Sequence, residues 1–291
     1  MDKRLAGLLR LLELERLEDN IFRGESRDIG SPQVYGGQVL GQALQAAYAT
    51  VDAGRTVHSL HAYFLRRGDY DAPIIYFVDR SRDGHSFSSR RVTAIQHGEQ
   101  IFNFSASFQA PEGGFEHQFP MPEVPGPEQL PDSTPPNSDL FDSLSPRLRQ
   151  FMHERPIEFK SVPVSATATL AGANRQYLWI RTVDKLPDDA RLHQCLLAYA
   201  SDFHLLGAAL VRHGQHLKSG KLMLASIDHA MWFHRPVRMD EWLLYAADSP
   251  SASGARGFTR GTLYSRQGVL VASTAQEGLI RVLPPATSPG S

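Results

Sequence analysis

Apolar residues recur along this chain with two periods. Residues 192–210, LHQCLLAYASDFHLLGAAL, set Leu192, Leu196, Tyr199, Phe203, Leu206 and Leu210 three or four positions apart, the spacing of one helix face. The Ala and Gly residues among them predict that another element lies close against this helix. Residues 39–51, VLGQALQAAYATV, follow Tyr35-Gly36-Gly37-Gln38 and form a second helical stretch of the same small-residue character. An amphipathic helix opens the chain, and a short strand is expected over 17–22. After residue 51 the pattern changes. Residues 57–65, 74–80, 86–96 and 100–109 are rich in β-branched and aromatic residues, with turn signals at Asp83-Gly84 and His97-Gly98. Further strands are predicted over 157–162 and 176–183, then, after the 192–210 helix, over 222–233, 242–248, 257–265 and 269–281.

The two halves carry the same order of elements, a small-residue helix followed by four long strands with tight turns. Their sequences echo each other as well. SLHAYFLRRGD, from Ser59, matches SIDHAMWFHRPVRMD, from Ser226, with a one-residue slip, and HGEQIFNFSASFQ matches SRQGVLVASTAQ. Ser59 stands fifty positions before Gln109, and Ser226 fifty before Gln276. Two copies mean a duplicated module and not a solenoid. One helix wrapped by an antiparallel sheet, present twice, predicts an α+β double hotdog. Its N-terminal module covers 1–110 and its C-terminal module 151–285, with a tail at 286–291. Residues 111–150 are dense in Pro, Gly and acids. They are expected to be a connector, too polar for core and too Pro-rich for regular structure.

Composition narrows the classes. A hydrophobic share of 42% with 21% charged residues is that of a globular protein, and a formal net charge of −1 gives no support for binding nucleic acid. The single cysteine, Cys195, excludes an intrachain disulfide and suits a reducing compartment. No run approaches the ~18 apolar residues of a membrane span. The N-terminus lacks the features of a secretory signal, and the Pro-Gly-Ser end is not a peroxisomal address. A cytoplasmic location is expected.

The chemistry concentrates on one acid. Between Ser31 and Val51 the first helix has no Asp or Glu, whereas the second carries Asp202 within its apolar run. A carboxylate there must be solvated, hydrogen-bonded or used, because desolvating it is costly. It either caps a shorter helix beginning at Phe203, faces a buried polar partner, or serves as a base. Ser226 and Gln276 are the other candidates, since a hydroxyl and a carboxamide can each hold a water against a carboxylate. Taken singly, each reads as an ordinary strand residue. A Ser and a Gln in both halves, with the acid in one, predict a single chemical site per chain. His58, His61, His229 and His234 alternate with aromatics and lack a Cys cluster, so no metal is expected. The G-x-S-x-G nucleophile motif is absent, its nearest approach being Gly84-His85-Ser86-Phe87-Ser88. Gly36 and Gly37 are too little for a phosphate loop, yet they permit close approach of a substrate.

YGGQVLGQAL, DGHSFSSRRVTAIQHG, SASFQAPEGGFEHQ, LASIDHAMWFHRPVRMDEWLLY and ARGFTRGTLYSRQGVLVASTAQEGLIR resemble the acyl-CoA thioesterase II family, bacterial relatives of the peroxisomal long-chain acyl-CoA thioesterase. The likeness runs from about Leu5 to Arg281. It implies hydrolysis of fatty acyl-CoA to free acid and CoA without metal or cofactor, through an Asp, a Thr or Ser, and a Gln that activate a water. These fall on Asp202, Ser226 and Gln276, with Ser226 where many bacterial members carry Thr. It further implies a homo-oligomer, dimer or tetramer. A covalent acyl-Asp202 route stays open. The rival readings are a non-catalytic acyl-CoA binder and a hotdog enoyl-CoA hydratase. The hydratase needs a His five positions after its Asp, where this chain has Gly207.

Overall fold

The structure, a computed structural model, describes residues 1–131, 146–163, 175–213 and 222–283. Four α-helices and thirteen strands occur among the described residues. Helix α1 (Lys3–Leu12) buries Leu5, Leu8, Leu11 and Leu12 and is capped by the Asp2 carboxylate, which accepts from Arg4 N–H. Strands β1 (Glu15–Glu18) and β2 (Ile21–Gly24) form a hairpin where one strand was expected. Helix α2 (Gly36–Tyr48) precedes β3 (Thr56–Phe64), β4 (Ile74–Asp83), β5 (Phe87–Gln96) and β6 (Glu99–Gln109). Helix α3 (Pro146–Glu154), β7 (Ile157–Ser161) and β8 (Arg175–Thr182) lead to α4 (Ala190–Ser201). Then come β9 (Leu222–Ser226), β10 (Asp228–Phe233), β11 (Leu243–Ser253), β12 (Arg256–Ser265) and β13 (Leu270–Val282).

All strands join one antiparallel sheet in the order β1-β2-β4-β5-β6-β3-β10-β13-β12-β11-β8-β7, with β9 also paired to β13. The central β3–β10 pair, with His61 opposite Ala230, welds the two halves together. Helices α2 and α4 pack antiparallel to each other on one face of this sheet. Small residues set their separation. A Cβ at Gly37 would overlap the carbonyl oxygen of Tyr199, and one at Gly41 would lie 3.2 Å from that of Cys195. The predicted close neighbour of each helix is thus the other helix.

Several expectations change. The helix expected over 192–210 ends at Ser201, and Asp202 is its C-cap, not the N-cap of a following helix. The chain turns through His204 at φ +63° and re-enters a 3₁₀ helix over Leu206–His213. By length and composition residues 190–211 are apolar enough to span a bilayer, contrary to the sequence reading, yet 67% of the apolar window is buried inside the fold. The strand expected over 222–233 breaks at Ile227. The connector is not wholly irregular or polar. It holds a 3₁₀ turn at Pro127–Gln129, and α3 begins inside it. Its Leu130, Met121 and Val124 pack against Trp179, Trp242 and Leu244, and Trp179 Nε1 donates to Pro125 O at 2.9 Å. It therefore covers the outer face of the second half. Residues 132–145 of the connector and the 286–291 tail lie outside the described residues.

The repeat holds with a different register. Arg66 N–H donates to Ile101 O, and Arg235 N–H donates to Val271 O, which pins the two halves to each other. In that frame the inward residues of β6, Phe102, Phe104, Ala106 and Phe108, correspond to Ala272, Thr274, Gln276 and Gly278 of β13. Ser226, opposite Gly278, corresponds to Val57, opposite Phe108. The counterparts of Gln276 and Ser226 are therefore Ala106 and Val57, not Gln109 and Ser59. Gln109 stands three residues from Ala106, an odd offset that puts its side chain on the other face, and Ser59, two residues from Val57, is moved off that face by the bulge between them.

Replacing Gly37 with Ala forces the two helices apart against a backbone carbonyl, and a loss of about 1–3 kcal/mol or more is expected. Urea unfolding of Gly37→Ala beside the exposed Gly113→Ala measures it; equal midpoints for the two would contradict the packing argument.

Candidate active site

Asp202 owes its position to the end of α4, which is held on three sides. Tyr245 Oη donates to Ser201 O at 2.9 Å and shares a 2.8 Å hydrogen bond with Thr274 Oγ1. Ser201 Oγ donates to Ala198 O at 3.0 Å and lies 2.9 Å from His229 Nε2. With the hydroxyl proton spent on Ala198, His229 carries its proton on Nε2 and keeps a lone pair on Nδ1. That Nδ1 is buried, 3.9 Å from Asp202 Oδ1.

The three residues singled out from the sequence meet. Gln276 Nε2 donates to Asp202 Oδ1 at 2.7 Å and to Ser226 Oγ at 2.9 Å, and Ser226 Oγ lies 3.5 Å from the same Oδ1. A carboxylate only accepts, so the amide must turn its nitrogen this way, and both amide protons are used. The Asp202 side chain is 6% exposed. Its other oxygen, Oδ2, faces α2, and a Cβ at Gly36 would lie 2.7 Å from it. Only glycine lets the start of α2 come so near the acid. The helix-capping residue there, Tyr35, makes no side-chain cap, so the positive end of α2 is open to the site. Tyr35 instead donates through its hydroxyl to Tyr199 O at 2.9 Å and stacks on Phe203 at 4.3 Å.

A narrow cleft of about 60 Å³ reaches Ser226, lined by Gly36, Val39, Phe64, Phe102, Arg66 and Arg67 among others. Among the described residues, Ser226 is the sole second-half residue in its lining. The candidate polar groups therefore come from one half and the walls from the other, which no reading of the halves separately discloses. His229 stands beside Asp202, a neighbour that its alternation with aromatics along the strand does not disclose. The four histidines stand at separate places: His58 against Phe87, His61 against Trp232, His234 against Ser273, and His229 beside the acid.

Residues 149–279 match the acyl-CoA thioesterase family, and residues 23–109 match the acyl-CoA thioesterase N-terminal domain. The chain is 45% identical to acyl-CoA thioesterase 2 of Haemophilus influenzae, over 95% of this chain and 98% of that protein. It is 42% identical to human acyl-coenzyme A thioesterase 8, over 97% and 91% respectively. Among solved structures it resembles an acyl-CoA thioesterase II from Mycobacterium marinum, with a TM-score of 0.82 and 45% identity over 96% of this chain and 99% of that one. A hot dog protein from Alicyclobacillus acidocaldarius shares the fold at 18% identity and a TM-score of 0.77, covering 96% and 99%. A helix-and-sheet module present twice in one chain, matched by these two family models, is a double-hotdog thioesterase. The chain belongs to the acyl-CoA thioesterase II family and hydrolyses acyl-CoA thioesters.

Burial pushes the imidazoles of His193 and His229 below the ordinary value near 6.5, although Asp202 pulls His229 back upward. These groups are neutral when folded and protonate more readily when unfolded. Stability is therefore flat above pH 6.5 and falls as the pH drops below it, by up to about 1.4 kcal/mol per pH unit for each such histidine. Urea unfolding from pH 8 to 5 checks this, and the slope should lessen in His229→Gln. Stability that rises on acidification would contradict it.

Proposed function

We propose that a water activated by Asp202 attacks the thioester directly, and that the substrates are fatty acyl-CoAs. The observation carrying this reading is the pair of hydrogen bonds from one Gln276 amide to Asp202 and Ser226. They fix Oδ1 and leave Oδ2 turned toward the start of α2. The water gives its proton to Asp202 as its oxygen bonds to the carbonyl carbon. Ser226, which accepts from Gln276, holds that water against the acid. The carbonyl oxygen gains charge at the open start of α2, where main-chain N–H groups and the helix dipole oppose it. Collapse breaks the C–S bond, and the proton held by Asp202 passes to the departing CoA sulfur.

The walls fit the two ends of such a substrate. Val39, Phe64, Ile101 and Phe102 offer an apolar surface to an acyl or pantetheine chain. Arg66 and Arg67 stand at the exposed mouth. Arg66 is paired with Glu99 at 2.9 Å, while Arg67 has no ion-pair partner among the described residues and suits a CoA phosphate. We also propose a homo-oligomer, supported by Tyr63, Phe77 and Phe87, which lie exposed on the outer sheet face of the first half.

Asp202→Asn should keep its fold and lose about 10²–10⁴ of kcat, the usual contribution of a general base. Ser226→Thr should stay within a few fold of wild type, and Ser226→Ala should fall well below both. Free-thiol release from acyl-CoAs of graded chain length measures all three. Full turnover in Asp202→Asn would move the chemistry elsewhere, and binding without turnover in wild type would favour a non-catalytic acyl-CoA binder. Single turnover in ¹⁸O water separates the routes, since direct attack labels only the product acid, and label in Asp202 would signify an acyl-enzyme. Arg67→Glu should raise KM about tenfold with kcat little changed, as expected for a contact made equally in ground and transition states; an unaltered KM would remove Arg67 from CoA recognition.

A further inference from the structure

The internal duplication implies a second cleft, and the structure contains one. At the opposite ends of α2 and α4, a cavity of about 590 Å³ is lined by Val57, Ala190, His193, Phe233 and Arg235, with Arg238 at its edge. Its five wall residues each have a counterpart in the Asp202 cleft, whereas Pro236 stands where that cleft has Arg67. Ala190 opens α4 as Gly36 opens α2, and His193 stands three residues on, as Val39 does. Phe233 ends β10 as Phe64 ends β3, and Val57 is the counterpart of Ser226. The match extends to Arg235, which donates through its side chain to Leu270 O at 3.1 Å, as Arg66 does to Gln100 O at 2.7 Å. Each arginine also faces a glutamate, Glu116 at 3.9 Å and Glu99 at 2.9 Å.

The second cleft has the walls without the chemistry. Gln276, Ser226 and His229 are replaced by Ala106, Val57 and Leu60. The place of Asp202 falls at the Tyr48–Ala49 end of α2, where the Tyr48 hydroxyl is already committed to Gln194 and to Val57 N–H. The start of α4 is closed too, because Asp189 accepts from Arg191 and Leu192 N–H at 2.9 and 3.4 Å. A thioester lodged here meets no counterpart of the Asp202, Ser226 and Gln276 set and no free helix start, although Glu112, Asp188, His58 and His234 also line the cavity. One polar group is nevertheless left over. His193 is 2% exposed, its Nδ1 accepts from Met239 N–H at 3.0 Å, and its Nε2–H makes no hydrogen bond of good geometry, being served only weakly by the Pro187 carbonyl. Leaving such a donor buried and poorly paired costs up to about 1–3 kcal/mol, which a ligand carbonyl relieves.

We propose that this cleft is a second, non-hydrolytic site for the CoA moiety. The pantetheine amides meet His193, and the phosphates displace Glu116 from Arg235. The proposal rests on the reading of the Asp202 cleft as the place where CoA thioesters bind.

Equilibrium dialysis of the full chain with free CoA tests it. Two equivalents per chain are expected. Arg67→Glu should weaken one class of site about tenfold, and Arg235→Glu the other, with cooperative unfolding verifying that each variant is folded. One equivalent per chain in wild type overturns the proposal whatever the variants do, as does a second equivalent insensitive to Arg235→Glu. Repeating the titration with acyl-CoA on Asp202→Asn identifies the occupant. Two equivalents there mean that the site admits substrate, whereas two of CoA but one of acyl-CoA mean that it takes product. Failure of the catalytic reading shows separately, as wild-type turnover in Asp202→Asn.

Discussion

The close approach of α2 and α4 is the constraint on which the rest depends. Without side chains at Gly37 and Gly41, the two helices pack backbone to backbone, and their antiparallel course sets the start of each beside the end of the other. At one such junction the chain has an uncapped start, a glycine and an acid. Gly36 lets Asp202 Oδ2 come against the first turn of α2, so a partial positive charge and a full negative charge share one small space. Any side chain at position 36 would separate them.

Around that contact, the sheet supplies rigidity. Tyr245, Thr274 and His229 fix the end of α4, and Gln276 on β13 fixes the carboxylate, all from strands whose neighbours are paired on both sides. Their hydrogen bonds are nearly all satisfied inside the site. The exceptions, His229 Nδ1 and Gln276 Oε1, are buried acceptors without a hydrogen-bond partner among the described residues. Preorganisation of this kind favours the transition state because nothing has to reorient as charge develops.

Duplication gave two junctions and divergence gave them different fates. One keeps an acid, a hydroxyl and a carboxamide. The other replaces each with a hydrocarbon or a satisfied phenol, closes its helix start with Asp189, and widens. The connector follows the same division of labour. It shields the outer sheet face of the second half through Trp179 and Trp242, while Tyr63, Phe77 and Phe87 lie exposed on that of the first half.

Much of this was written in the sequence by itself. The periods of 3.6 and 2 determined two small-residue helices and their long strands, because burial on one face leaves its period in the chain. The echo between halves determined the duplication, and the lone acid at 202 marked the half with the chemistry. Asp202, Ser226 and Gln276 were legible as candidates, though partly through family resemblance. Only the tertiary structure decided the rest. Whether a helix continues past Asp202 depends on what the next turn packs against, and apolar spacing alone ran on to residue 210. Which residues correspond between halves depends on a bulge and on strand parity, so the fifty-residue spacing of Ser and Gln misled. That Gly36 and the walls of the first half complete a site whose acid lies over 160 residues away follows from helix packing. Contacts between distant segments leave no period in the chain, and geometry alone reveals them.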